Sequence, residues 1–307
     1  MITTVCMNPS VDRTATVDGV TLGGYNLLEN DRSDIGGKGI NVAVVLHRLQ
    51  VECACVGCLG EKNEQAFMDM VNSEGLRFTY LALAGKTRTN LKVFDRKTHA
   101  VTEFNEPGLS MDGQQQEAFL ALLKREAAGS QYVVLSGRLP QGCAEDTYQR
   151  LMAALPGIPC ILDSTGNSLL LGLKEHPFLI KPNLPELEAV IGCELKTLRT
   201  IRDAALSLIK QGAQNVIVSM GKFGALLTDG KRTLFAPALQ VTAQSTVGAG
   251  DAMIGGVMMG LSRGEDMEAC FRYGMAAGAA SVMTSGTQSI RVDDFASLLP
   301  KVTLQTI

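Results

Sequence analysis

The stretch Ser245-Thr246-Val247-Gly248-Ala249-Gly250-Asp251 follows a strand-rich region and runs straight into a glycine-bearing apolar segment that reads as a helix from Asp251 to Leu261. Its glycines matter by position. Gly248 and Gly250 let backbone N–H groups converge at a helix N-terminus, where orphan donors and the macrodipole favour an anion. In the first helical turn the Asp251 carboxylate lies close enough to such an anion hole to accept the proton of an attacking hydroxyl. On spacing alone, the same residues read equally well as an N-cap carboxylate with packing glycines.

Strand-like and helical patterns alternate outward from that segment. Candidate strands are Ile2–Met7, Glu52–Cys58, Phe78–Leu83, Tyr132–Ser136, Cys160–Asp163, Phe178–Lys181, Val216–Ser219 and Ala225–Thr228. Several are apolar without a break, as strands buried on both faces of a helix-covered parallel sheet should be. Helical spacing of three and four recurs in Asn41–Leu49, Gln114–Ala127, Glu145–Leu155, Arg199–Lys210, Ala252–Leu261 and Met267–Met283. Residues 11–35 and 86–105 break the alternation with short polar–apolar patterns such as Asn90-Leu91-Lys92-Val93-Phe94-Asp95, which read as antiparallel hairpins. Paired with each other, they make a small β-sheet over one edge of the main unit. The expected organisation is one α/β domain from residues 1–10, 36–85 and 106–307, with residues 11–35 and 86–105 as a β lid. No repeat or Pro/Ser-rich linker divides the chain.

With 307 residues, 46% of them hydrophobic and 19% charged, the chain has the composition of a globular protein with a sizeable core. A formal charge of -3 without a long basic run speaks against a nucleic-acid partner, whose phosphates demand a clustered cationic face. No run approaches the roughly 20 apolar residues of a membrane span, and the first residues lack the charged and apolar regions of a leader. A cytoplasmic protein with no membrane partner is expected. Cys55-Val56-Gly57-Cys58 forms a CxxC pair, but His47, His99 and His176 are scattered and no second CxxC completes four ligands. It reads as a buried strand running into a glycine turn.

In Gly36-Gly37-Lys38-Gly39-Ile40-Asn41-Val42-Ala43 no Gly-Lys-Ser/Thr follows the glycines, so a P-loop fails on spacing. This segment and Thr246-Val247-Gly248-Ala249-Gly250-Asp251, in that order and at that separation, resemble the signatures of the ribokinase-like, or PfkB-type, carbohydrate kinases. The resemblance extends over essentially the whole chain. It implies a ribokinase-like α/β fold, with a mostly parallel central sheet flanked by helices on both faces and a small β-sheet lid. It also implies ATP as donor with Mg2+, Asp251 as the base for a sugar hydroxyl, and an anion hole from the amides of Gly248, Ala249 and Gly250.

By the same resemblance the Gly36–Gly39 loop faces the substrate. Gly37 lets the backbone approach a sugar, Asn41 offers a donor and an acceptor to hydroxyls, and Lys38 reaches a substrate phosphate. Read alone, the loop is a turn before a helix. Asn8-Pro9-Ser10-Val11-Asp12 follows the first strand at the edge where α/β folds bind ligands, making Asp12 a candidate for gripping two sugar hydroxyls; by itself it is ordinary turn chemistry. Arg88, in Lys86-Thr87-Arg88-Thr89-Asn90, suits a bidentate phosphate clamp. Ser136-Gly137-Arg138-Leu139-Pro140 resembles the family's Ser-Gly-x-Leu-Pro turn and puts Ser136 at the substrate. Arg138 stands where related sequences often have Ser, and reads equally as a second phosphate ligand or as an exposed cation.

Lys181-Pro182-Asn183-Leu184-Pro185-Glu186 resembles the family's Asn-x-x-Glu element. It implies that Asn183 and Glu186 tune magnesium through water, with Lys181 at the nucleotide and Asp163 joining the water network. Glu186 alone is an acid at a helix start, which the dipole favours anyway. Ser219, Gly221 and Gly224, in Ser219-Met220-Gly221-Lys222-Phe223-Gly224, are implied to seat nucleotide phosphates, although the residues alone describe a hairpin. Tyr273–Met283, rich in Ala and Gly, suits an adenine border or plain core packing.

Ser245, with Asn-Pro-Ser-x-Asp near the start, looks most like the 1-phosphofructokinase branch, with tagatose-6-phosphate kinase and 6-phosphofructokinase as alternatives. The implied partner is a small-molecule ketohexose phosphate, fructose 1-phosphate first, phosphorylated at its C6 hydroxyl. A non-catalytic sugar-phosphate sensor is the alternative from another class, and Asp251 speaks against it. A nicotinamide dehydrogenase lacks its Gly-x-Gly-x-x-Gly after the first strand. The hairpin edge of the lid is compatible with a homodimer without demanding one.

Overall fold

The computed structural model describes residues 1–284, 286 and 288–307. Its strands in chain order are β1 Ile2–Cys6, β2 Ser10–Val17, β3 Glu29–Gly36, β4 Cys53–Gly60, β5 Phe78–Leu83, β6 Arg88–Asp95, β7 Val101–Asn105, β8 Tyr132–Ser136, β9 Cys160–Asp163, β10 Leu179–Ile180, β11 Val216–Ser219, β12 Ala225–Thr228, β13 Thr233–Ala236 and β14 Gln305–Thr306. Ten of them form one sheet in the order β14-β13-β12-β11-β10-β9-β8-β1-β4-β5. From β5 across to β11 every neighbouring pair is parallel. Apart from the edge strand β5, those strands are buried almost throughout, as strands covered on both faces should be. Beyond β11 the pairing becomes antiparallel. The links from β11 to β12 and from β12 to β13 are too short for the crossover that a parallel neighbour needs.

Helices cover both faces, and alternate residues of each strand feed two cores. Val5 of β1 joins Phe119, Tyr148, Leu187 and Leu208 on one side. Ile2 joins Val42, Ile254, Phe271 and Ala277 on the other. Glycines bring the helices of the second layer close. A Cβ at Gly256, in the helix Ala249–Ser262, would lie 2.4 Å from the carbonyl oxygen of Tyr273 in the helix Met267–Val282. A Cβ at Gly255 would lie 2.4 Å from Val45 Cγ1 in the helix Lys38–Arg48. The Ala249 helix is thus seated between its neighbours, with its N-terminus beside that of the Lys38 helix.

The two stretches that broke the alternation form a second sheet, in the order β3-β2-β6-β7. Each stretch is an antiparallel hairpin, and the hairpins join through a parallel β2–β6 ladder that runs from Ser10 opposite Arg88 to Val17 opposite Asp95. Because β2 leaves β1 after only Met7-Asn8-Pro9, this sheet stands at the carboxyl end of the parallel strands.

Four helices escaped the periodicity: Glu64–Ser73, Gly166–Gly172, Leu184–Ile191 and Val292–Leu298. They have 10, 7, 8 and 7 residues, where a three-to-four spacing has little room to repeat; of the helices that were expected, only Thr147–Ala153, within Glu145–Leu155, is as short. The strand expected over Phe178–Lys181 is only Leu179–Ile180. Cys55 and Cys58 lie buried in β4, all eight cysteines are free, and no group of three or more His, Cys, Asp or Glu among the described residues is arranged to hold a metal.

Candidate active site

The N-cap of the helix Ala249–Ser262 is Gly248, at φ 78°, with no side-chain cap. Its left-handed backbone suits glycine. Asp251 is therefore not the cap but a first-turn residue, 6% exposed. Asn41, in the first turn of the helix Lys38–Arg48, donates its Nδ2 to Asp251 Oδ2 at 2.7 Å. Burial, helped by the charge of nearby Asp163, pushes the Asp251 pKa up to about 6, against the pull of Lys38, Asn41 and Lys181. A carboxylate poised there accepts a proton more readily than an exposed one.

Asp163, at the end of β9, is the hub of the surrounding charges. It is 1% exposed, bonds Lys38 Nζ at 3.1 Å and Ser136 Oγ at 3.2 Å, and has Lys181 Nζ at 3.5 Å. Burial alone would favour its neutral form; the two ammonium groups and the hydroxyl outweigh that and hold its pKa below the usual carboxylate range. Lys38 is held protonated in turn: burial opposes its charge, but Asp163, Asp251 and Glu186 raise its pKa. Lys181 also approaches the start of the Ala249 helix. A Cβ at Gly250 would lie 2.9 Å from Lys181 Nζ. The sequence reading gave Asp163 a place in a water network; the structure gives it two lysines.

The Gly36–Gly39 loop packs against its own chain. A Cβ at Gly39 would lie 2.1 Å from the Val5 carbonyl oxygen, and one at Gly36 would lie 2.6 Å from Asp12 Cγ. Gly37, at φ 112°, has Cys6 Sγ at 2.5 Å from the position of a Cβ. The close approach that these glycines permit is to β1 and β2, and it fixes the Lys38 helix over the sheet edge.

Between that loop, the β8 turn and the small sheet lies a cavity of about 220 Å³. Four cations line it, Lys38, Arg88, Lys92 and Arg138, against a single carboxylate, Glu103. Arg88 donates to the Asn8 carbonyl at 3.2 Å and to Asn90 Oδ1 at 3.3 Å, and its buried Nε has no partner among the described residues. Burial first, and the charge of Arg138, lower its pKa. Arg138 is exposed and has no ion pair among the described residues. Asp12 is buried, and both its oxygens are engaged: Oδ1 by Ser10 Oγ at 2.7 Å and Asn90 Nδ2 at 2.9 Å, Oδ2 by Lys92 Nζ at 2.9 Å. Asn90 and Lys92 were missed in the sequence. The signal was the period of two that places Arg88, Asn90 and Lys92 on one face of β6.

On the other side of Asp163, Asn183 and Glu186 close a capping box: Asn183 Oδ1 accepts from Glu186 N at 2.8 Å, and Glu186 Oε2 accepts from Asn183 N at 2.8 Å. Each keeps side-chain hydrogen-bonding capacity outside that box. The pair fits a hydrated cation approached from outside and forms no cage by itself. Asn183 pairs with Ser219 in an isolated parallel bridge. Gly221 and Gly224, at φ 55° and 103°, form the turn after Ser219.

A family model described as "pfkB family carbohydrate kinase" matches residues 6–294. The chain belongs to that family. Among pfkB-family relatives, the 1-phosphofructokinase of Rhodobacter capsulatus is 35% identical over 100% of this chain and 98% of its own length. The ATP-dependent 6-phosphofructokinase isozyme 2 of Mycobacterium tuberculosis is 36% identical over 95% of this chain and 87% of its own. The Escherichia coli phosphofructokinase-2 in complex with potassium superposes with a TM-score of 0.92 at 29% identity, covering 98% of each chain. The sequence resemblance and the expected fold are both borne out, and the chain is an ATP-dependent sugar kinase.

Proposed function

We propose that the chain transfers the γ-phosphoryl group of ATP to the C6 hydroxyl of fructose 1-phosphate, yielding fructose 1,6-bisphosphate and ADP. The observation that carries this reading is a cavity lined by four cations, of which Arg88 and Arg138 have no ion pair among the described residues, with Val247 in its wall next to the Gly248 N-cap of the helix that carries the buried Asp251. Such a site suits a sugar with a phosphate at one end and a reacting hydroxyl at the other. The sugar phosphate lies against Arg88, with Arg138 and Ser136 nearby, while Asn41 and the Gly37 backbone meet its hydroxyls. Asp251 takes the proton as the hydroxyl oxygen forms its bond to the γ-phosphorus, and the bond from that phosphorus to the bridging oxygen of ADP breaks. The amides of Gly248, Ala249 and Gly250, with Lys38 and Lys181, meet the charge spread over the transferring group. Lys181, Asn183, Ser219, Gly221 and Gly224 form the nucleotide side. Magnesium held through water by Asn183 and Glu186 would neutralise part of the nucleotide charge.

The small sheet acts as a lid over the sugar. Leu22 and Tyr25, 93% and 87% exposed in the β2–β3 connection, together with Phe104 on β7, favour burial against a second copy in a homodimer. Free thiols throughout suit the cytoplasm.

The name of the Mycobacterium tuberculosis relative supports a second reading, phosphorylation of fructose 6-phosphate. Both are decided by ADP release with fructose 1-phosphate, fructose 6-phosphate, tagatose 6-phosphate and unphosphorylated hexoses. The highest kcat/KM is expected for fructose 1-phosphate; preference for another sugar replaces it, and turnover of none leaves a sensor.

A further inference from the structure

We propose that the sulfurs of Cys58, Met111 and Cys143 form a binding site for one soft monovalent cation, Cu(I). The site does not line the sugar cavity and is independent of which sugar is phosphorylated. Its warrant begins with three sulfurs brought together from three parts of the chain. Cys58 lies near the end of β4, Met111 just before the helix Gly113–Ala127, and Cys143 after the turn that follows β8. Cys58 Sγ stands 3.8 Å from Met111 Sδ, and Cys143 Sγ stands 4.0 Å from the same atom. A thiol is a weak donor and a thioether a weak acceptor, so hydrogen bonding accounts for little of this convergence. Around a metal ion whose bonds to sulfur are about 2.3 Å long, ligand atoms stand about 4 Å apart. Both measured edges already have the spacing that a shared ion imposes.

The backbone fixes two of the three ligands relative to each other. Gln141 N donates to the Leu109 carbonyl at 2.9 Å, and Met111 N donates to the Gln141 carbonyl at 2.8 Å. Gly142, at φ 82°, completes the close approach, since a Cβ there would lie 2.5 Å from the Met111 carbonyl oxygen. Cys58 and Met111 are buried and Cys143 is partly exposed, so an ion enters from the Cys143 side. The donor set chooses the ion. Thiolates and a thioether select Cu(I) over hard cations, and among the described residues no His, Asp or Glu joins the two cysteines to complete a group of three such ligands. Zinc, which takes four ligands, is left short. Burial pushes the Cys143 thiol up to about 11, with Arg150 and Thr147 pulling the other way, and it raises the Cys58 thiol well above the usual range. Each thiol therefore gives its proton to water as its sulfur lone pair bonds the ion. Met111 binds through a lone pair without losing a proton, and no electron is transferred. Two thiolates around one Cu(I) leave a single negative charge, which Arg150 is near enough to meet.

The test titrates the reduced protein with Cu(I) without oxygen, against a chromophoric Cu(I) chelator, with melting temperatures recorded in parallel. Wild type should take one ion from the chelator. Removing a direct ligand should cost at least as much as the ten- to hundred-fold typical of residues behind the ligands, so Cys58→Ser and Cys143→Ser should each weaken binding by about a hundred-fold or more, and Met111→Leu by about tenfold. Cys193→Ser, which removes an exposed thiol elsewhere, should leave the affinity unchanged. X-ray absorption of the copper-loaded wild type should show three sulfur neighbours at about 2.3 Å. No uptake by wild type, oxygen or nitrogen neighbours around the copper, or an affinity in Cys143→Ser equal to that of wild type overturns the inference. If Cys58→Ser does not fold, the partly exposed Cys143→Ser and the volume-conserving Met111→Leu decide it by the same criteria.

Discussion

Asp251 sets two demands against each other. The base role proposed for it needs its charge, and its buried position opposes that charge. With a folded pKa of about 6 against an ordinary 3.8, kcat/KM should rise with pH through about 6, level off above it, and fall tenfold per unit below. A profile flat down to pH 5 would remove Asp251 from the proton transfer. Stability runs the other way. Because the folded pKa is raised, the ionised group weakens the fold at pH 7, and that cost fades as pH falls through 6 towards 4. Asp251→Asn should then lower kcat by about a thousand-fold yet be more stable than wild type at pH 7, by on the order of 1–3 kcal/mol, and so melt higher, with the advantage gone near pH 4. A lower melting temperature at pH 7 would contradict the burial argument. The position of Asp251 was legible from the glycines before it. Asn90 and Lys92 were not, because an alternating strand shows which side chains share a face and is silent about what that face meets.

At the scale of elements, the start of the helix Ala249–Ser262 does its work through what it lacks. Gly250 leaves room for Lys181, whose Nζ would stand 2.9 Å from an added Cβ. The neighbour is the tip of a flexible side chain, so Gly250→Ala should fold well, helped by alanine's better helix propensity, worth up to about 1 kcal/mol. Displacing that ammonium from the proposed anion hole should nevertheless lower kcat by about tenfold or more. Full activity in a correctly folded variant would detach Lys181 from the reaction. Sequence reading found every helix of 11 residues or more, and the seven-residue Thr147–Ala153 besides, but missed Leu184–Ile191, although it singled out Asn183 and Glu186. Its signature was the capping box, a local pattern that outlasts periodicity in a helix of two turns.

For the whole molecule, the alternation of strand and helix was enough to predict a layered parallel sheet, and the two interruptions were enough to predict a second small one. The antiparallel turn of the large sheet beyond β11 was less legible, because it depends on short links and not on strand composition. Leu22→Asp with Tyr25→Asp should shift the mass measured by light scattering from dimer to monomer; a wild type already monomeric at micromolar concentration would remove the lid from any self-association. The small sheet also carries a kinetic consequence. Its hairpins lie far apart in the chain, and the bond from Asn90 to Asp12 spans 78 residues. Contacts so distant in sequence repay their loop-closure entropy only after β1, β4 and β5 have come together. In hydrogen–deuterium exchange the amides of the β2–β6 ladder should therefore open first while those of β1 and β8 stay protected, and bound sugar phosphate should slow the ladder alone. The sheet proposed to cover the substrate would then be the last to arrive in folding and the first to leave in a fluctuation, so that admitting a ligand and beginning to unfold would share one early motion.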